Sequence, residues 1–134
     1  MAQSTDSAVF GDLVVTGTLA AAAKVKKVRV VTANLTLTAA DSGTVFIADA
    51  ADLVFTLPST AAGLEYTFCC AAVSAGTGLS VSPAAADNIN EGTDNKDLIN
   101  SGATDVLGDS VTIIGNGTTG WFTTGKVGTW AAES

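Results

Sequence analysis

Short apolar runs alternate with turn residues along most of the chain. Leu53–Leu57 ends at Pro58 and Leu79–Ser82 ends at Pro83, and proline cannot donate to a central ladder. Runs of this length that are rich in Val, Ile, Thr and Phe are typical of strands, and their regular spacing is typical of a sandwich or barrel. No apolar pattern of helical period and useful length occurs. The pattern therefore predicts an all-β fold, either an antiparallel sandwich or a jelly-roll-like barrel.

The predicted strands share β-branched or aromatic residues bounded by Gly, Pro, Asp or Ser. They are Leu35–Thr38, Thr44–Ile47, Leu53–Leu57, Leu64–Val73, Leu79–Ser82, Val106–Ile114 and Trp121–Gly125. A hairpin is predicted at Gly115-Asn116-Gly117, because Asn-Gly accepts positive φ at both central turn positions. Residues 84–105 form the most polar stretch, in which Ile89, Leu98 and Ile99 are the expected inward anchors.

The turn punctuation becomes regular only from residue 34, which suggests an N-terminal arm, 1–33, followed by a β knob, 34–134. Within the arm, Phe10–Leu19 carries β-branched residues between glycines and resembles a strand. Val25–Val31 shows the alternation of a half-buried strand. An extended arm of ~30 residues can span as much as ~100 Å, which is far enough to reach a neighbouring molecule.

Charge is scarce in this chain, since only 14% of its residues are charged and the net charge is −7 at pH 7. A surface so poor in Lys and Glu has little to prevent close association, so we expect part of it to be buried in an assembly. Four of the basic residues cluster in the arm, at Lys24, Lys26, Lys27 and Arg29. Because nucleic-acid binding needs many Lys and Arg contacts to phosphate, we expect no nucleic-acid partner. Two interpretations of the basic strand stay open: it docks on an acidic protein, or it is a solvated edge protected from aggregation.

Residues suited to catalysis are few. The chain has no histidine, which removes the commonest general base and any Ser-His-Asp arrangement. Cys69 and Cys70 are adjacent, so they point to opposite faces of a predicted strand, where Cys acts as a small hydrophobe. The stretch from Asp87 to Asp94 fails the calcium-loop pattern because Ile89 stands where an oxygen ligand is needed. We therefore expect no enzyme, no metal site and no cofactor.

The first ten residues lack the basic and apolar regions of a secretory signal. No run of residues approaches the ~20 apolar positions of a membrane span. We therefore expect a protein that is made in a cytoplasm and has no membrane partner.

Several stretches of the chain carry distinctive turn-and-strand signatures. They are Leu37–Phe46, Thr56-Leu57-Pro58, Ala61–Phe68, Asp109–Gly117 and Gly120-Trp121-Phe122. With them, the sequence from Leu35 to Trp121 resembles a β module that recurs in structural proteins of tailed bacteriophages. Gly11–Leu19 also resembles short elements of phage fibre and spike proteins.

This resemblance implies a virion surface protein, and such proteins are usually trimeric. The chain is short and lacks a long repetitive shaft, which favours a capsid decoration (cement) protein over a full fibre. It would bind the outer surface of the major capsid protein lattice, stabilise the head and associate with itself as a homotrimer. The expected localisation is the outer capsid surface of the virion. The expected capsid or subunit contacts are Phe10, Leu13, Val15, Leu19, Lys24, Lys26, Lys27 and Arg29.

A second hypothesis is a receptor- or glycan-binding tip of a phage fibre. It would use the polar loop and an exposed aromatic side chain. Its candidate residues are Asp87, Asn88, Asn90, Asp94 and Trp130. Trp121 follows the predicted hairpin beside Phe122 and is expected in the core instead.

Overall fold

The computed structural model describes residues 25–134, which form eleven strands and one short 3-10 helix. The helix is Ala39–Asp41. The strands are β1 Lys27–Val31, β2 Leu35–Thr36, β3 Thr44–Ala48, β4 Val54–Thr56, β5 Glu65–Cys70, β6 Gly78–Ser82, β7 Asn88–Ile89, β8 Leu98–Ser101, β9 Ser110–Gly115, β10 Gly120–Val127 and β11 Trp130–Ala132.

The strands form two open sheets. Sheet A has the order β1-β3-β5-β9-β10-β7, and sheet B has the order β11-β8-β6-β4-β2. The all-β prediction is confirmed as a sandwich, and neither sheet closes into a barrel. The expectation of antiparallel sheets is wrong, because five of the nine pairings between the described strands are parallel.

The parallel pairs arise because the chain alternates between the sheets from β1 to β6. Parallel neighbours need a crossover between them, and here a strand of the facing sheet serves as that crossover. Residues 32–34 carry the chain from β1 to β2, and the next connection returns it to β3 beside β1. Each pair of strands therefore makes one coil, and the first three coils stack in parallel. After β6 the chain reverses, and β8 and β9 pair antiparallel with the last coil.

Inward-facing side chains fill the space between the sheets, and five aromatic rings lie at its centre. Phe46 and Phe68 of sheet A stack with ring centroids 5.7 Å apart, and Phe55 of sheet B lies 4.9 Å from Phe68. Tyr66 joins this group to Trp121, 5.7 Å away. The prediction that Trp121 belongs to the core is confirmed, since its side chain is fully buried. Stacked and tilted aromatic contacts of this kind add stability beyond the area that they bury.

The predicted hairpin at Asn116-Gly117 forms between β9 and β10, but its loop spans residues 116–119. Of its two expected central residues, only Gly117 has a positive φ, +79°. The side chain of Asn116 decides this geometry, because its Oδ1 accepts the N–H groups of Thr118, Thr119 and Gly120. Three backbone donors satisfied by one side chain favour this wider loop over a two-residue turn.

The polar stretch 84–105 contains two strands that the sequence interpretation did not predict, β7 and β8. Ile89 and Leu98 are buried as expected, while Ile99 is half-buried on the outer face of sheet B. Ile89 lies in a strand only two residues long, which pairs in parallel with the start of β10. A two-residue strand leaves too little alternation to be seen in the sequence.

Candidate interaction surfaces

Five of the predicted contact residues lie outside the described part of the chain. They are Phe10, Leu13, Val15, Leu19 and Lys24. The remaining three, Lys26, Lys27 and Arg29, are exposed on or beside β1. The described structure therefore bears on the basic strand and not on the apolar part of the predicted arm.

Strand β1 is an edge of sheet A, and among the described strands only β3 pairs with it, over five residues. Along β1, two of the three valines face solvent and the basic residues face the side of the core. Val31 is buried, whereas Val28 and Val30 are 54% and 60% exposed. Lys27 and Arg29 share the inward face with Val31, because they pair with the inward residues of β3. They remain in solvent because β1 extends the sheet beyond the buried core.

Two concavities flank this basic edge. One has a volume of about 290 Å³ and is lined by Lys27, Val28, Arg29, Asp41 and Thr44. The other has a volume of about 250 Å³ and follows the chain from Arg29 to Leu35. Edge backbone, cationic side chains and two shallow concavities therefore coincide, which suits an extended acidic segment better than a small molecule.

Burial raises the pKa of the Tyr66 hydroxyl, and the negative charge of Asp41 raises it further. The hydroxyl donates to the carbonyl oxygen of Thr38 at 2.8 Å, so it is held in its neutral form beside the 3-10 helix. Asp41 in turn accepts the Thr38 N–H at 2.9 Å. These contacts fix the wall of the larger concavity and keep the Asp41 carboxylate beside the basic edge.

The outer face of sheet A is apolar across five strands. The strand registers place its side chains in rows, one of which runs Val30, Ile47, Cys69, Ser110 and Val127. A second row runs from Val28 through Val45 and Thr67 to Thr112, and a third joins Glu65, Ile114 and Phe122. The name "outer face of sheet A" refers below to these twelve residues.

Charged side chains avoid the centre of this face. Glu65 is the one charged residue among the twelve, and it lies at the start of β5. The other described acids lie in turns, in connections, in the 3-10 helix or after β11. They are Asp41, Asp49, Asp52, Asp87, Glu91, Asp94, Asp97, Asp105, Asp109 and Glu133. Most of the negative charge is therefore carried at the ends of the sandwich.

The residues of the predicted recognition loop have mixed roles. Asp87 is buried, and its carboxylate accepts the backbone N–H of Thr60 at 2.7 Å, so it holds a connection in place. Asn88 donates to Asp94 at 3.1 Å, and the Oδ1 of Asn90 accepts the N–H of Thr123 at 2.9 Å. The turn that follows β7 places Asn90 and Glu91 at positive φ, with Gly92 N–H bonded to the carbonyl of Ile89. This is the backbone of a type I′ turn, which Asn tolerates better than Glu.

Trp130 is not an exposed aromatic, which corrects the prediction made for it. Its side chain is 5% exposed and its Nε1 donates to the carbonyl of Val127 at 3.0 Å. β11 pairs with β8 at the edge of sheet B, and Trp130 lies near Ile89 and Leu98 there. A cavity of about 230 Å³ lies beside these residues, with Lys96 and Lys126 on its lining.

The two cysteines are free thiols with different environments. Cys70 faces the core, and burial raises the pKa of its thiol. Cys69 is half-exposed in the middle of the outer face of sheet A. The prediction that adjacent cysteines face opposite sides of a strand is confirmed.

Within residues 25–134, no cluster of three or more acid or thiol side chains is arranged to hold a metal ion. No helix of that part of the chain is long and apolar enough to cross a membrane. Comparison of the chain with family models, with curated proteins and with solved structures found no match.

Sequence reasoning missed the outer face of sheet A, although a signal for it was present. Thr44-Val45-Phe46-Ile47-Ala48 is apolar at four consecutive positions, and such runs are typical of parallel strands with both faces covered. The run predicts a strand, and only the register of its neighbours shows that its second face is apolar as well. Lys126 lies on the lining of the cavity beside Trp130, and its neighbours there come from distant parts of the chain, so its sequence position gives no signal of this site.

Proposed function

We propose that this chain is a structural protein of a phage virion, a capsid decoration protein that binds the outer surface of the major capsid protein lattice as a homotrimer. The proposal rests first on the turn-and-strand resemblance of Leu35–Trp121 to the phage module. The structural observation that carries it is the basic edge of β1, with which β3 alone pairs among the described strands. This edge carries three cations on a chain of net charge −7.

The edge suits strand addition by a partner segment. In this mode, backbone hydrogen bonds supply affinity, and side chains beside the edge select the sequence. Lys26, Lys27 and Arg29 favour an acidic segment, which would approach the basic edge in preference to the acidic ends of the sandwich. Several weak edges acting together on one lattice give a strong attachment through multivalency.

A charge-reversal experiment tests the edge directly. Lys27→Glu combined with Arg29→Glu is measured for co-sedimentation with expanded heads, built from the major capsid protein of the genome that encodes this chain. The matched control, Lys96→Glu combined with Lys126→Glu, makes the same change in net charge away from β1. We expect the edge variant to bind at least roughly tenfold more weakly and the control to bind as the parent does.

Equal binding by both variants, or no binding by the parent chain, would contradict the proposal. Truncation of residues 1–23 tests the second predicted contact. An unchanged affinity of the truncated protein for heads would remove the arm from the attachment and leave the edge of β1.

The alternative of a glycan-binding tip has less support. Its aromatic platform, Trp130, is buried, and Asp87 is occupied by a backbone hydrogen bond. Stacking on a sugar needs an accessible ring face. Cell or glycan binding without head binding would decide for this alternative.

A further inference from the structure

We infer that the outer face of sheet A is the surface through which copies of this chain pack against each other. This inference rests on the proposed function only in so far as that function requires several copies. Its partner is a second copy of the same chain, and its contact residues centre on Ile47 and Cys69.

The composition of the face is the first argument. Eight of its twelve side chains are apolar: Val28, Val30, Val45, Ile47, Cys69, Ile114, Phe122 and Val127. The outer face of sheet B is less uniform, because one of its rows, Thr36, Thr56 and Ser82, is polar and small. Its other row, Val54, Ser80, Ile99 and Ala131, carries two large apolar side chains. A contiguous apolar patch that spans five strands is typical of an interaction site.

Parallel pairing is the second argument. β1, β3 and β5 are parallel to one another within the mixed sheet A, and sheets built of parallel strands usually have both faces covered. Sheet B covers the inner faces of β3 and β5, and Val31 at the end of β1. Within the described residues, nothing covers their outer faces, and Val28 and Val30 stay more than half exposed.

The placement of charge selects a second copy as the partner. Two acidic chains repel each other wherever like charges meet, and this chain carries its acids mainly at the ends of the sandwich. When two copies pack through the outer face of sheet A, Glu65 is the one charged side chain among its twelve residues, and it lies at the margin. A partner of opposite charge would find no complementary charge there and would be guided to the ends or to β1 instead.

The size of the face sets the strength to expect. Five strands at ~4.8 Å spacing and about five residues at ~3.3 Å rise give a footprint on the order of 400 Å². A standard interface buries about 800 Å² on each partner. Association through this face is therefore concentration-dependent in free protein, and a larger assembly needs a further contact to become permanent.

The test is the mass of the full chain by sedimentation velocity over a wide range of protein concentration. Ile47→Lys places a charge at the centre of the face, and Val106→Lys is the control, since Val106 is 60% exposed in the turn before β9. We expect the parent chain and the control to associate, and Ile47→Lys to associate on the order of a hundredfold more weakly. Val30→Lys is a second variant on the same face. Because Val30 lies on an edge strand and is already exposed, this substitution should not disturb packing of the core.

Cys69 supplies a second readout. Its alkylation by a maleimide should slow as the concentration of the parent chain rises, and should not slow in Ile47→Lys. A parent chain that remains a monomer at every concentration would overturn the inference, as would equal association of Ile47→Lys and Val106→Lys. A parent chain that is monomeric but binds heads would contradict this inference and support head binding. A parent chain that forms oligomers but does not bind heads would contradict the proposed function and not this inference.

Discussion

Asn100 donates from Nδ2 to Oδ2 of Asp109 at 2.9 Å, and both side chains are buried inside the sandwich. The same amide donates to the carbonyl of Thr129 at 3.0 Å, and the same carboxylate oxygen accepts the N–H of Val106 at 3.0 Å. The pair thus ties β8 to the turn before β9 and to the connection between β10 and β11. Buried polar groups that are paired in this way fix one arrangement of the surrounding chain.

Asn100→Asp should make folding of the protein strongly dependent on pH. At pH 7 it sets two carboxylates side by side in a buried site, and we expect a loss of about 3 kcal/mol in the free energy of unfolding. Repulsion raises the pKa of the carboxyl pair in the folded state above the unfolded value of ~3.9. The variant is therefore least stable at neutral pH and recovers relative to the parent as the pH falls through that raised pKa.

Urea unfolding of Asn100→Asp and of the parent at pH 7 and at about pH 5 measures this recovery. Asn100→Ala is the control, because it removes the donor without adding a charge. Its deficit should change less between the two pH values. A deficit of Asn100→Asp that is the same at both pH values would refute the expected repulsion.

Gly128→Ala should destabilise the fold through a direct overlap. Gly128 has a φ of +87°, and a Cβ added there would overlap the carboxylate of Asp109. Gly43 has nearly the same φ, +83°, but no atom lies within 4 Å of its added Cβ. Gly43→Ala therefore costs only backbone strain, about 1 kcal/mol, whereas Gly128→Ala should cost more than about 3 kcal/mol.

Thermal or urea unfolding of the two alanine variants separates strain from overlap. Equal losses in the two variants would mean that the Asp109 carboxylate moves aside freely. In that event its hydrogen bonds to Asn100 and Val106 would contribute little.

Asp52 should make a pH-dependent contribution to stability. The Ser74 hydroxyl and the N–H of Gly78 donate to its carboxylate, and these hydrogen bonds lower its pKa below the ordinary value of 3.8. A lowered folded-state pKa gives stability that is present above the unfolded pKa and is lost as pH falls through the folded pKa. Asp52→Ala should therefore be less stable than the parent at pH 7, and the difference should shrink below about pH 4.

Asp49→Ala provides the comparison for Asp52→Ala, because Asp49 is an exposed acid in the same connection between β3 and β4. Urea titrations at neutral and strongly acidic pH measure both variants. A constant difference between Asp52→Ala and the parent at all pH values would show that the carboxylate charge is not what Ser74 and Gly78 stabilise.

Phe46→Ala should cost about 3–5 kcal/mol, the usual range for emptying a buried aromatic site. Phe46 is fully buried and its ring lies 5.6 Å from Phe55 and 6.5 Å from Tyr66. Its loss therefore loosens contacts within sheet A and between the sheets. Val106→Ala, at an exposed site, should change the free energy of unfolding by less than about 0.5 kcal/mol. Retention of parental stability by Phe46→Ala would place the core elsewhere.

The existence of most strands was predictable because it depends on local alternation and on turn residues. Thr44–Ile47 and Trp121–Gly125 were located in this way, as was the hairpin between β9 and β10. Parallel pairing was not predictable, because it depends on where a connection of several residues delivers the chain. Residues 32–34 read as an ordinary turn, yet they carry the chain across to the facing sheet.

The candidate surfaces were predictable only where sequence neighbours are also spatial neighbours. Lys26, Lys27 and Arg29 form one basic edge because they follow one another along the chain. Ile47 and Cys69 become neighbours only through the parallel register of β3 and β5. The burial of Trp130 depends likewise on its pairing with Asn100, thirty positions earlier, at the β11 edge of sheet B.

The coiled path of the chain has a consequence for how such a domain can change in length. Partner residues in successive coils lie roughly 17 to 26 positions apart, as Lys27 and Thr44 or Val54 and Ser80 do. Inserting or deleting one whole coil moves each sheet edge by a single strand spacing, ~4.8 Å, and leaves every other register intact. The domain therefore lengthens in steps of one coil, each of which adds one strand to each sheet. Insertions or deletions of fewer residues fall into the connections, where they alter the ends of the sandwich but not the number of strands in each sheet.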